Sequence, residues 1–170
     1  MVGQEISQVF AMKPSSFSQV STTPRAPQGA GGLALGTQVM TMDGALPVEF
    51  LSPGDRILTR AGVRRLASVS VQLCQNVDMV RVRAGTLGFD RPCAETLVPL
   101  HQMVLIRDWR AQVLYGAPQA LVAAGRLADG DLIRIETVAE ARIFTLAFET
   151  DVVIYAGGLE LECGRATVSV

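Results

Sequence analysis

The sequence predicts an all-β domain, because runs of alternating apolar and polar residues recur along it between glycine, proline and aspartate turns. Residues 66–73 alternate valine or leucine with serine or glutamine, and residues 132–136 alternate isoleucine with arginine and glutamate. Hydrophobic residues make up 49% of the composition but aromatic residues only 5%, so we expect a core of Val, Leu, Ile and Ala. These patterns predict about 10 to 12 short strands.

The N-terminal segment differs in composition from the rest of the 170 residues. Serine, threonine, proline and glycine dominate 13–32, and such a composition buries little surface. We therefore predict a flexible leader at 1–31, a domain at 32–163 and a C-terminal tail at 164–170. There is no apolar run of about 18 residues to span a membrane and no secretory signal, which leaves a cytoplasmic location or a non-classical export route open.

Residues 33–64 predict several strands joined by tight turns. An apolar run at 39–40 is followed by an Asp-Gly dipeptide at 43–44, which is favoured in hairpins. The Ser-Pro-Gly-Asp segment at 52–55 predicts a type II turn, because proline presets the first central φ and glycine accepts a positive second φ. Residues 56–59 then predict the next strand.

Later strands are predicted at 66–73, 77–83, 132–136 and 143–155 from the same alternation. One brief helix is predicted at 117–127, where alanine and leucine favour helix between punctuating glycines. Strand content should therefore be well above helix content.

The charge balance gives no reason to expect nucleic acid as a partner. The chain has 15 basic and 16 acidic residues and a net charge of −1. A local cluster of Arg60, Arg64 and Arg65 is interpreted as a solvated hairpin face in preference to a phosphate site. We expect no cofactor, and a protein partner remains open.

Three cysteines, Cys74, Cys93 and Cys163, have no paired spacing and no second type of metal ligand beside them. A disulfide scaffold or a zinc site is therefore not expected, and free thiols that pack as small hydrophobes are. Cys93 precedes His101 by eight residues, which leaves a thiol–imidazole pair as an alternative.

Four collinear segments resemble the Hint domain that is shared by Hedgehog autoprocessing domains and inteins, with bacterial Hint-type proteins the most similar. Residues 36–59 hold a Gly-Thr strand, the two turns and a Pro-Val-Glu segment. Residues 97–101 are similar to the family's Thr/Ser-Pro-x-His segment, and 121–131 and 143–163 resemble its later parts. The resemblance covers 32–163 and implies a compact Hint-type β fold.

The resemblance also implies where an autoprocessing site would lie and which of its residues have changed. Gly32 occupies the position of the Cys or Ser nucleophile, and glycine cannot form a thioester or ester. His101, the only histidine, matches the histidine that polarises the scissile amide. Val98 replaces its Thr/Ser partner, and Asp151 replaces the second histidine, where a carboxylate is not a cationic acid near neutrality.

Two function classes follow from this comparison of site positions. The first is a degenerate Hint domain without self-cleavage, acting as a structural or interaction module, in which His101 is a relic of the site. The alternative is an autoprocessing Hint domain with an unconventional nucleophile, for which Thr37, Cys93 and Cys163 are the candidates. An unrelated β-rich binding module is a third interpretation, and a packed histidine ring with one hydrogen bond also fits the sequence around position 101.

Overall fold

The computed structural model describes residues 31–167, and β-strands dominate this part of the chain. The strands are β1 Leu33–Ala34, β2 Gln38–Thr41, β3 Gly44–Pro47, β4 Arg56–Thr59, β5 Gly62–Arg65, β6 Ser68–Val82, β7 Thr96–Pro99, β8 Met103–Ile106, β9 Ala120–Ala123, β10 Ile133–Ala147, β11 Val152–Ala156 and β12 Leu159–Cys163. One helix, α1, spans Trp109–Tyr115, and 3₁₀ turns lie at Val48–Phe50 and Ala124–Leu127. The predicted all-β class and strand number are confirmed, whereas the predicted leader, except Gly31, lies outside the described residues.

The strands form two antiparallel sheets. The first has the order β1-β10-β6-β7, and the second has the order β3-β2-β4-β11-β12-β8-β9 with β5 beside β4. β6 and β10 pair over their full 15-residue lengths, with Val82 opposite Ile133 and Ser68 opposite Ala147. The two-residue β1 adds to the outer side of β10, with Leu33 opposite Phe144.

The turns that the sequence predicts near the start of the domain are formed. The backbone N–H of Asp55 donates to the carbonyl oxygen of Ser52 at 3.1 Å, and Gly54 has a φ of +96°. Proline at the first central position and a positive φ at the second are the features of the predicted type II turn. β2 and β3 form the hairpin that the Asp-Gly dipeptide predicts.

One sequence prediction about elements is wrong, and the strand predictions differ from the structure in their bounds. The helix predicted at 117–127 is instead β9 followed by a 3₁₀ turn, because residues 120–123 pair with β8. The real helix is α1, whose first turn is capped by the Asp108 side chain and which ends at Gly116 with a φ of +65°. The segments predicted as strands at 66–73 and 77–83 are strand, but they belong to a single one, β6, which continues through Asn76. The segments at 132–136 and 143–155 are likewise strand in large part, as β10 runs without a break from Ile133 to Ala147 and β11 begins at Val152.

A single hydrophobic core contains residues of both sheets. Its completely buried aliphatic members include Val39, Ile57, Val80, Ile133 and Ile154. Burial of each such side chain contributes about 1.5–3 kcal/mol, so the aromatic-poor composition is sufficient for a packed interior. No helix in the part of the chain that the structure describes is long and apolar enough to cross a membrane.

Candidate functional site

A cavity of about 360 Å³ lies where the start of β1, the β7–β8 turn and the end of β12 meet. Its lining includes Gly32, His101 and Asp151, which are three of the four site positions identified from the sequence, and also Cys163. These residues are up to 131 positions apart, from 32 to 163, and the two-sheet fold brings them together. Val98 does not line this cavity.

Gly32 is buried and lies directly before β1, whose register against β10 fixes its surroundings. A Cβ atom placed on Gly32 would overlap the Cγ2 methyl of Ile143 and would lie 3.0 Å from the carbonyl oxygen of Phe144. The position therefore lacks a nucleophile and also lacks the space for one. A cysteine or serine there would require β10 or Ile143 to move.

Gln102 is a site residue that the sequence analysis did not identify. It is buried, and its Nε2 donates to the carbonyl oxygens of Met103 at 2.9 Å and Glu162 at 2.7 Å. A Cβ atom on Gly31 would overlap Gln102 Oε1, so the amide packs closely against the chain where it enters the domain. The signal in the sequence was a polar side chain directly after His101 within an otherwise apolar segment.

His101 lies at the exposed end of the turn between β7 and β8, where the N–H of Gln102 donates to the carbonyl oxygen of Pro99 at 3.0 Å. Asp151 is also exposed, and its Oδ1 accepts a hydrogen bond from the backbone N–H of Arg165 at 2.9 Å. This bond occupies one carboxylate oxygen and fixes the position of the segment that follows β12. Asp151, which the resemblance predicts at the second histidine position, therefore has a structural contact of its own.

Val98 lies in β7, opposite Val80, and is almost completely buried in the core. The position at which the resemblance predicts a Thr/Ser partner therefore holds a side chain that packs in the interior. The structure separates this position from the cavity that holds His101.

Cys163 is the thiol that lies in the same cavity as His101. It ends β12 opposite Val152 and is buried. Burial, with a smaller contribution from Glu162, raises the pKa of the Cys163 thiol to about 12. Because the thiolate is the nucleophilic form, a thiol with this pKa is a weak nucleophile near neutral pH.

The other candidate nucleophiles lie elsewhere. Thr37 and the exposed Cys93 line a second cavity of about 290 Å³, and His101 is not part of it. Cys74 is half-buried on β6, opposite Ala141. Within residues 31–167 all three cysteines are free, and no group of three or more His, Cys, Asp or Glu residues is arranged to hold a metal ion.

Comparisons with known proteins agree with this architecture. The family model of the Hint domain matches residues 32–166. A search of curated proteins finds no match. Among solved structures, the gp41-1 intein is 14% identical with a TM-score of 0.53, and the match covers 78% of this chain and 98% of that one.

Two further solved structures are similar to the same extent. The bacterial intein-like domain from Clostridium thermocellum and the TvoVMA intein are each 11% identical with a TM-score of 0.55. Each match covers 79% of this chain and 98% of the other. Identities this low establish the shared fold alone, and the family model adds the sequence relationship. The chain belongs to the Hint domain family.

Proposed function

We propose that this Hint domain does not cleave itself and acts as a structural or interaction module. The observation that supports this most directly is Gly32, which has no side chain to attack the preceding carbonyl. The contacts with Ile143 and with the backbone of Phe144 also leave no room for a nucleophile at this position. Such a module keeps the segments on either side of residue 32 covalently joined.

The rest of the cavity supports the same proposal. His101 has no hydroxyl-bearing residue at position 98, and Asp151 is engaged with the backbone of Arg165. Neither neighbour provides the acid that an amide cleavage needs at its leaving nitrogen. His101 is then a relic of the ancestral site rather than a working acid.

One observation favours the alternative of an unconventional nucleophile. Cys163 lines the same cavity as His101 and Gly32, so a thiol is present beside the position where cleavage occurs in the family. Its pKa of about 12 weighs against this role, because almost no thiolate is present at neutral pH.

Intact-mass spectrometry of the purified full chain separates the two functions. The chain is incubated at neutral pH without additive, with a small thiol, and with hydroxylamine, since the last two intercept a thioester or an ester. We expect one unchanged mass in all three samples over days. Two fragments whose masses sum to the intact chain plus water or the added nucleophile would disprove the proposal, and the Cys163→Ala variant would then show whether that thiol is responsible.

A further inference from the structure

Three arginines converge on one buried carboxylate on the far side of β12 from the core. Glu160 is 5% exposed, and its Oε1 accepts from Arg60 at 2.7 Å. Its Oε2 lies 3.0 Å from Arg91 Nη1 and 3.0 Å from Arg107 Nε. Gln119 also contacts the first of these arginines, at 3.4 Å. We refer to Arg60, Arg91 and Arg107 as the arginine cluster.

This arginine cluster differs from the group of basic residues identified in the sequence, with which it shares only Arg60. Arg64 and Arg65 are exposed on β5, as expected of a solvated hairpin face. Arg60, by contrast, lies just after β4 and joins two arginines that are distant in sequence, one in the loop before β7 and one after β8. Arg60 is exposed, as the sequence interpretation has it, but its guanidinium also pairs with a glutamate 100 positions away, which the sequence did not indicate.

The charges in this contact set do not balance. Three guanidinium groups surround one carboxylate, which leaves a local excess of two positive charges. Among nearby acidic side chains, Asp108 pairs with Arg110, and Asp90 and Glu162 lie beyond ion-pair distance of the cluster in the described chain. An excess of two charges at fixed positions favours a divalent anion.

The geometry also leaves donors free. A guanidinium is a fork of N–H donors with no acceptor, and the two oxygens of Glu160 engage only part of each fork. The side chains of Arg60, Arg91 and Arg107 remain 31%, 43% and 36% exposed, so part of each is accessible to a ligand from solvent. The central glutamate holds the forks together before any ligand arrives, which reduces the entropy cost of binding.

We propose that the arginine cluster is a binding site for a tetrahedral divalent oxyanion, namely a phosphate group, either free or as a monoester on a larger molecule. Arginine is suited to this ligand because its planar fork matches the spacing of phosphate oxygens. None of Arg60, Arg91, Arg107 and Glu160 lines the cavity at Gly32, and the site does not depend on whether the domain cleaves itself.

The test is a titration of the full chain with inorganic phosphate at constant ionic strength, observed through the arginine Nε–Hε resonances. Chloride replaces phosphate in the reference samples, so general screening is matched. We expect a saturable shift of the three cluster resonances. Acetate should produce no saturation, and O-phosphoserine in a parallel titration distinguishes a free ion from a monoester as the preferred form. Non-saturating shifts, or equal saturation by acetate, would refute the site.

Three variants distinguish a phosphate-binding site from a purely structural role of the arginine cluster. Arg91→Gln removes an exposed member and should weaken phosphate binding about tenfold, whereas Arg83→Gln, the same charge change outside the cluster, should not. Arg107→Gln removes a second member of the cluster and should weaken phosphate binding to a similar extent. Folded Arg91→Gln and Arg107→Gln variants that bind phosphate as tightly as the parent would overturn the proposal.

Discussion

Two residues on β10 limit the space that is available to a side chain at position 32. Ile143 provides a methyl group and Phe144 a carbonyl oxygen at the place where any side chain of residue 32 would begin. The absence of a nucleophile was visible in the sequence as a glycine. The absence of space was not, because it depends on a strand that begins about a hundred residues later.

Gly32→Ala should lower the free energy of unfolding by about 1–3 kcal/mol, because the added methyl group would overlap the side chain of Ile143. Gly164→Ala is the matched control. It lines the same cavity, but its Cβ would approach nothing closer than Asp151 Oδ1 at 4.0 Å. Urea-induced unfolding measures both changes, and the control should remain within about 0.5 kcal/mol of the parent.

The contact with Ile143 is tested by combining two substitutions. In a double-mutant cycle, Ile143→Ala should recover part of the stability that Gly32→Ala loses, so the two effects are not additive. Additive effects would mean that Ile143 does not limit position 32. In that case the carbonyl of Phe144 alone would restrict it.

The buried thiol of Cys163 should make stability decrease at alkaline pH. Its pKa is raised from 9.0 in the unfolded chain to about 12 in the folded protein. The unfolded state therefore loses its proton first, and stability falls as pH rises from 9 towards 12, by about 1.4 kcal/mol per pH unit at most. Below pH 9 this thiol has no effect on the pH dependence.

The measurement is urea unfolding from pH 8 to 10.5 for the parent, Cys163→Ala and Cys74→Ala. The decrease above pH 9 should be shallower in Cys163→Ala, and it should be retained in Cys74→Ala, which removes a half-buried thiol. An identical slope in the parent and Cys163→Ala would show that the thiol ionises freely in the folded protein.

Among elements, the turn that leads into β10 shows how one side chain fixes the start of a strand. Asp129 Oδ1 accepts hydrogen bonds from the backbone N–H groups of Asp131 and Ile133, each at 2.9 Å. These bonds lower the pKa of Asp129, with the bond from Ile133 contributing most. Ile133 is completely buried, so the turn also sets which face of β10 enters the core.

Asp129→Ala should destabilise the protein by about 1 kcal/mol through the loss of these bonds. Asp131→Ala, an exposed aspartate in the same turn, is the control and should have little effect. Because the pKa of Asp129 is lowered on folding, its contribution is present above its ordinary value of 3.8 and is lost as pH falls through the folded value. The difference between parent and Asp129→Ala should therefore narrow in acid unfolding experiments, and a constant difference would contradict the assignment.

The elements also show the limits of sequence patterns. Alternation identified β4, where buried and more exposed residues do alternate. It also identified most of β6 and β10, although no residue between 68 and 78 of β6 is buried, so its alternating sequence does not reflect one buried side there. It divided β6 in two at Asn76, where a φ of +48° interrupts the pattern but the partner strand keeps the register. The helix prediction failed because tertiary pairing with β8 overrode the helix preference of alanine and leucine in β9.

For the whole molecule, the order of the four segments that resemble the Hint family was sufficient to predict the fold, since each segment forms turns or strands of that fold. Three of the positions that the resemblance singled out, Gly32, His101 and Asp151, line one cavity, and their role there stays a prediction. Gln102, the limits on position 32 and the arginine cluster were not predictable. Each depends on contacts between residues that are far apart in sequence, and local sequence patterns carry no information about such contacts.

The packing around Gly32 has a consequence for the history of the domain. A change of residue 32 to cysteine would first lower the stability of the domain, because its Cβ would overlap Ile143. A smaller residue at position 143 would have to come earlier, or arise together with it, for the change to be tolerated. The order of substitutions is therefore constrained, and the packing makes the gain of a nucleophile at position 32 less accessible than the single missing side chain suggests.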